Sequence, residues 1–120
     1  MSKTKIVIVE ADFLIAEDLR GLCEDFGASV VGMAHRADEA FDLVESTKPD
    51  VVLMDVRLGG KRDGVDVAQR VYDALPRTKL VFITGSNEPP TIERIRQDHP
   101  FRILIKPIKP AELQEAITAS

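Results

Sequence analysis

Residues 6–12 read "IVIVEAD", in which four β-branched residues are followed directly by Glu10 and, after Ala11, by Asp12. A short apolar run without polar alternation is typical of a parallel strand that is buried on both faces. Carboxylates at the end of such a strand are unfavourable unless another group compensates their charge. The segment therefore predicts a buried strand whose carboxyl end meets a functional site, and it leaves Ala11 between the two acids to be explained.

The composition is that of one ordinary globular domain, expected to span residues 1–120, with 44% hydrophobic and 30% charged residues. The net charge of −4 disfavours direct binding to nucleic acid or to an anionic membrane surface. No apolar run approaches the ~20 residues that span a bilayer. Because Cys23 is the single cysteine and the N-terminus lacks a signal-peptide core, we expect a reducing, cytoplasmic location.

Short apolar runs alternate with segments of helical period along the whole chain. This alternation predicts an α/β fold, a doubly wound five-stranded parallel sheet with helices on both faces. The predicted strands are 5–9, 29–33, 51–54, 79–84 and 102–105, and the predicted helices are 13–26, 37–47, 65–75, about 90–98 and about 110–119.

Several chemically active side chains follow the predicted strands. In open parallel sheets the ligand site lies outside the carboxyl ends of the strands, where Glu10, Asp12, Asp55, Thr84 and Lys106 would gather. Clustered carboxylates require a cation, and a hard divalent ion such as Mg²⁺ prefers oxygen ligands. Asp55 has the chemistry of a carboxylate nucleophile, while Thr84 and Lys106 suit phosphoryl oxygens. The set predicts acyl-phosphate formation on an aspartate.

Four motifs in this order carry a family resemblance: "IVIVEAD", "VVLMDVRLGG" (51–60), "VFITGS" (81–86) and "ILIKPI" (103–108). Together they resemble the receiver domain of two-component response regulators, over residues 5–117. The resemblance implies a sheet of order 2-1-3-4-5 and phosphotransfer from a histidine kinase or a phosphotransfer protein. It also implies signalling through the face of the fourth helix, fifth strand and fifth helix, a candidate homodimer surface. "FITG" further resembles the "FATG" variant found in some single-domain regulators.

The resemblance implies a role for each residue that matches a family motif. Asp55 corresponds to the phosphoacceptor, Thr84 and Lys106 to residues that bind the phosphoryl group, and Gly85 to the small residue that leaves room for this group and offers its amide. Pro107 corresponds to a proline often preceded by a cis bond. The implied protein is not an enzyme, apart from its own phosphorylation and dephosphorylation.

The implied magnesium site departs from the family pattern. Glu10, Asp55 and the backbone carbonyl of Arg57 correspond to metal-binding positions, but the family's second acid, a direct ligand, falls on Ala11. Asp12, one residue later, is either a further ligand or only a helix N-cap. We therefore expect a magnesium site that is weaker than usual.

Two further departures concern the switch and the loop after Asp55. The aromatic residue three positions before the lysine is replaced by Ile103, which with Pro107 is expected on the signalling face. The loop is one residue longer than usual and lacks the common proline.

His35 and His99 have no partners at metal-ligand spacing and are expected on the surface.

Two alternatives to a phosphorylated receiver remain. One is a degenerate receiver that binds partners without phosphorylation, because Ala11 weakens the metal site. The other is an aspartate-nucleophile phosphatase, which is disfavoured because such enzymes typically carry an acid at the position of Arg57.

Overall fold

The apolar runs pair as the strands of one parallel sheet in a computed structural model of the chain. The structure describes residues 3–55, 64–85 and 102–118. Between residues 64 and 85, side chains are described from residue 67 onward. The sheet has the order β2-β1-β3-β4-β5, and every pairing is parallel. In chain order the elements are β1 Lys5–Val9, α1 Phe13–Asp25, β2 Ser29–Ala34, α2 Ala37–Thr47, β3 Val51–Asp55, α3 Gly64–Ala74, β4 Lys79–Thr84, β5 Arg102–Ile105 and α4 Pro110–Thr118.

The predicted fold class and strand order are therefore confirmed. Strand and helix ends differ from the predicted ends by one residue at most, and β3 includes Asp55 as its last residue. The helix predicted at about 90–98 lies outside the described residues. The helix α4 is the one predicted at about 110–119.

The three central strands explain the apolar runs, because alternate side chains of each strand enter two different cores. One core lies between the sheet and the helices α2 and α3, and the other lies on the side of α1 and α4. The first core takes from the central strands Val7, Val9, Val52, Met54, Leu80 and Phe82, and the second takes Ile6, Ile8, Val51, Leu53, Val81 and Ile83.

Helix ends follow local sequence signals. Asp12 is the N-cap of α1, and Gly27 after this helix has a φ of 87°, in the left-handed region that glycine tolerates. Lys48 ends α2 in a left-handed conformation directly before Pro49. None of the helices that the structure describes is long and apolar enough to cross a membrane.

Candidate functional site

The carboxyl ends of four strands bring the predicted site residues to one edge of the sheet. Glu10 follows β1, Asp55 ends β3, Thr84 ends β4, and Lys106 follows β5. The amide of Lys106 donates a hydrogen bond of 2.8 Å to the carbonyl of Thr84, which extends the β4–β5 pairing up to the site. The parallel topology therefore assembles residues that lie up to 96 positions apart in the sequence.

The ammonium of Lys106 joins the two acids. Its Nζ donates to Oε1 of Glu10 at 3.1 Å and lies 3.5 Å from Oδ2 of Asp55. Within the described part of the chain, the buried charged or polar residues are Glu10, Asp55 and Thr84, and all three belong to this edge. Among the described residues, buried polar side chains are therefore confined to this edge of the sheet. There the ammonium of Lys106 compensates the charge of the carboxylates.

The protonation of the site follows from these contacts. Burial by itself would raise the pKa of Glu10, but hydrogen bonds with Asp55, with Lys106 and with the amide of Asp12 lower it below its ordinary value. Burial by itself would lower the pKa of Lys106, but its contacts with Glu10 and Asp55 raise it. At neutral pH, Glu10 and Lys106 therefore form a charged pair.

Hydrogen bonds that involve the backbone also hold Glu10 in place. The amide of Glu10 donates to the carbonyl of Ala34 at 3.0 Å. The amide of Asp12 donates to Oε2 of Glu10 at 3.3 Å. Nδ1 of His35 lies 2.9 Å from the carbonyl of Glu10, and since a carbonyl only accepts, Nδ1 carries the hydrogen. The ring of His35 also packs against Phe13, with 3.8 Å between the centroids.

His35 is the residue that the sequence interpretation missed. The sequence places it on the surface, but it is half-buried and contacts the carbonyl of Glu10, the residue at the centre of the site. The available signal was its position: His35 directly follows β2, the neighbour of β1, so it reaches the same edge of the sheet.

Asp12 serves as a helix cap. Its Oδ1 accepts hydrogen bonds from the amides of Leu14 at 2.8 Å and Ile15 at 3.1 Å, which satisfies two donors at the start of α1. The capping prediction is confirmed, and the alternative that Asp12 binds a metal stays a prediction.

The magnesium set is present only in part. Glu10 and Asp55 supply two buried carboxylates at one edge, and these oxygens suit Mg²⁺ in kind. Ala11 is exposed and offers no ligand atom in its side chain. In the ranges that the structure describes, no group of three or more His, Cys, Asp or Glu side chains is arranged to hold a metal ion. Arg57 lies outside these ranges.

The remaining predicted residues lie around this edge. A Cβ atom at Gly85 would meet no atom of the described residues within 4 Å, so these residues leave space beside Thr84. The Lys106–Pro107 peptide is cis. Ile103 is half-buried against the core on the side of α2 and α3. Pro107 is exposed and lines a groove of about 600 Å³ between α1 and the segment after β5.

The comparison with protein families decides the class of this chain. A family model for the response regulator receiver domain matches residues 6–118. The chain belongs to this family. The sheet of order 2-1-3-4-5 is thus that of a receiver domain, and Asp55 and Lys106 both lie within the matched residues.

Two known relatives are regulatory proteins of greater length. The receiver is 34% identical over 113 residues to the transcriptional regulatory protein PdtaR of Mycobacterium tuberculosis. The aligned residues cover 94% of this chain and 54% of that protein. The receiver is 30% identical over 116 residues to the phyllosphere-induced regulator PhyR of Methylorubrum extorquens, covering 96% of this chain and 42% of that protein. The chain thus spans about half the length of these relatives.

Solved receiver domains have the same fold. The signal receiver domain of a modulated diguanylate cyclase from Desulfovibrio desulfuricans superposes with a TM-score of 0.89 at 32% identity, covering 97% of this chain and 91% of that one. The receiver domain of the response regulator NarL from Mycobacterium tuberculosis superposes with a TM-score of 0.90 at 28% identity, covering 98% and 94%.

Proposed function

We propose that this receiver domain accepts a phosphoryl group on Asp55 from the phosphohistidine of a histidine kinase or a phosphotransfer protein. The observation that carries the proposal is the position of Asp55 at the carboxyl end of β3, with Nζ of Lys106 3.5 Å from its Oδ2. Buried Thr84 ends the neighbouring strand β4. A nucleophile, a cation and a hydroxyl are therefore available at one edge.

The transfer itself is a displacement at phosphorus. A carboxylate oxygen of Asp55 forms the new O–P bond while the P–N bond of the donor breaks, and the imidazole leaves with the electron pair of that bond. The ammonium of Lys106 offsets the charge on the phosphoryl oxygens, and the hydroxyl of Thr84 can donate to one of them. The open side of Gly85 gives the new group room.

Magnesium is part of this proposal. Glu10 and Asp55 would hold the ion through their carboxylates, with the backbone carbonyl of Arg57 as the family resemblance implies. When bound, Mg²⁺ supplies positive charge that favours phosphoryl transfer to a carboxylate. Ala11 reduces the number of anionic ligands by one, which supports the expectation of weak binding.

The output is a change in protein binding. We place the signalling surface on β5 and on α4, which corresponds to the fifth helix of the family, near Ile103 and Pro107. The family's fourth helix, which lies outside the described residues, would complete this surface. We assign no enzymatic turnover beyond the domain's own phosphorylation and dephosphorylation. The same surface is the candidate for a homodimer, and the cytoplasm is the compartment where a histidine kinase partner would meet this receiver.

A second function has a specific observation in its favour. With Ala11 in place of an acid and two carboxylates at the described edge, the domain could bind its partner without phosphorylation. In this case Lys106 would hold Glu10 and Asp55 permanently, and the site would have only a structural role.

Intact-mass spectrometry after incubation with a small acyl-phosphate donor and Mg²⁺ separates the two functions. The proposed receiver gains the mass of one phosphoryl group, and Asp55→Asn abolishes the gain. The matched control is Asp73→Asn, at an exposed aspartate of α3, which should leave the gain unchanged. No gain in the folded wild-type protein, or a gain that survives Asp55→Asn, overturns the phosphorylated-receiver proposal.

A further inference from the structure

We propose that His35 is a positioning residue of the candidate site, because its imidazole fixes the peptide of Glu10 and with it the contact between Glu10 and Lys106. That contact keeps the ammonium beside Asp55. The inference deepens the proposed function, on which it rests: it names a residue that sets the rate of phosphoryl transfer without touching the reacting atoms.

The first argument is that the end of β2 holds Glu10 by both polar groups of its backbone. The amide of Glu10 donates to the carbonyl of Ala34 at 3.0 Å, one residue beyond the end of β1. The carbonyl of Glu10 accepts from Nδ1 of the next residue, His35, at 2.9 Å. A side chain therefore supplies a donor where β1 has already ended, and it satisfies a carbonyl that would otherwise need another partner.

The second argument is that the carboxylate of Glu10 depends on this backbone position. The residue is 2% exposed, and its carboxylate meets Nζ of Lys106 at 3.1 Å and the amide of Asp12 at 3.3 Å. Hydrogen bonds weaken when their distances grow by a few tenths of an ångström. A shift of the Glu10 peptide would therefore loosen the contact with the ammonium, which lies 3.5 Å from Asp55.

The third argument is the placement of Phe13, the first residue of α1. Its ring lies 3.8 Å from the ring of His35 between centroids, with 31° between the planes. Phe13 is 66% exposed and belongs to neither of the two hydrophobic cores. An aromatic residue outside both cores thus covers this imidazole, and shielding from water strengthens a hydrogen bond. The start of α1 is tied to the same residue of β2's end that holds Glu10.

The rate of phosphorylation by a small acyl-phosphate donor with Mg²⁺ tests the role of the hydrogen bond. His35→Leu removes the donor and keeps an apolar side chain beside Phe13, so the rate constant should fall about tenfold. His35→Asn places an amide nitrogen near the position of Nδ1 and should stay within about twofold of the wild type. Arg36→Leu is the matched control, since the described ion pair of Arg36 is with Asp38 of α2, and it should leave the rate unchanged.

The carbon-13 chemical shift of the Glu10 carboxyl group, measured at neutral pH, gives a readout that needs no phosphorylation. It should move in His35→Leu, because the contact with Lys106 changes, and stay the same in His35→Asn and Arg36→Leu. The three variants are compared at a temperature at which circular dichroism shows each of them folded.

The outcomes separate this inference from the proposed function. A folded His35→Leu protein that is phosphorylated at the wild-type rate overturns the inference, and so does equal slowing by leucine and asparagine. If the wild type gains no phosphoryl group, the proposed function fails. In that case an unchanged Glu10 shift in His35→Leu overturns the hold of His35 on Glu10 as well, whereas a moved shift supports it.

Discussion

Replacing Lys106 with methionine should destabilise the domain because it leaves buried Glu10 without its ammonium partner and removes one cation from the neighbourhood of Asp55. Glu10 is 2% exposed and the side chain of Asp55 is 8% exposed. Removing one partner of a fully buried ion pair costs about 3–5 kcal/mol. Because 29% of the Lys106 side chain is exposed, water already screens part of the interaction, and we expect a loss of about 2–3 kcal/mol at neutral pH.

The pH dependence of this loss identifies Glu10 as its cause. The folded-state pKa of Glu10 lies below its ordinary 4.5, so its stabilising contribution is fully present above pH 4.5 and is lost as the pH falls through the folded-state pKa. In the variant the hydrogen bond and the charge of Lys106 no longer lower the pKa of Glu10, so Glu10 takes up a proton at a higher pH than in the wild type. The stability difference between the two proteins should therefore shrink as the pH is lowered from 7 towards 4.5.

Urea denaturation followed by far-UV circular dichroism measures the loss, since the chain has no tryptophan. For a 120-residue domain, a loss of 2–3 kcal/mol corresponds to a drop in melting temperature of about 8–12 °C. Lys109→Met should stay within about 0.5 kcal/mol of the wild type. Combining Glu10→Gln with Lys106→Met should recover part of the loss. Equal stability of Lys106→Met and the wild type, or a loss that does not vary with pH, would refute the reasoning.

Three further predictions concern the cap, the edge strand and the cysteine. Asp12→Ala should cost about 1 kcal/mol in urea denaturation and Asp12→Asn much less, because asparagine also caps; equal losses would argue against the capping role. Gly32→Ala places a Cβ 2.8 Å from Cδ1 of Leu43, the end of a half-buried side chain that has to shift, and should cost up to about 1 kcal/mol. The cost of Gly32→Ala should be smaller in a protein that already carries Leu43→Ala than in the wild type. If the costs of the two substitutions simply add, this contact is contradicted. Burial raises the pKa of the Cys23 thiol to about 12, so a thiol-specific disulfide reagent should modify it only after unfolding; rapid labelling of the native protein would be inconsistent with its burial.

Local patterns in the sequence are sufficient to predict most of the fold. The continuous apolar runs of β1 and β3 predict buried parallel strands because both faces of these strands are covered. Gly27 predicts the end of α1 because it supplies a left-handed residue. Once the strands are parallel, Asp55 and Lys106 must reach the same edge, so the candidate site follows from the strand ends.

The details that could not be predicted depend on distances between side chains. The sequence leaves open whether Lys106 reaches Glu10 or Asp55 first, since this depends on the conformation of a flexible side chain. The position of Asp12 is compatible with a cap and with a metal ligand, and its hydrogen bonds with the amides of α1 show the cap. His35 contacts Glu10 because β2 lies beside β1, a non-local pairing that no local pattern around His35 reveals.

The most direct test of the central claim is to locate the phosphoryl group on the chain. After incubation with a small acyl-phosphate donor and Mg²⁺, borohydride reduction converts a phosphorylated aspartate to homoserine, and peptide mass spectrometry identifies its position. We predict homoserine at position 55 in the wild-type protein and none in Asp55→Asn. Homoserine at another aspartate, or its absence at position 55 in folded protein treated with donor, would contradict the assignment of Asp55 as the phosphoacceptor.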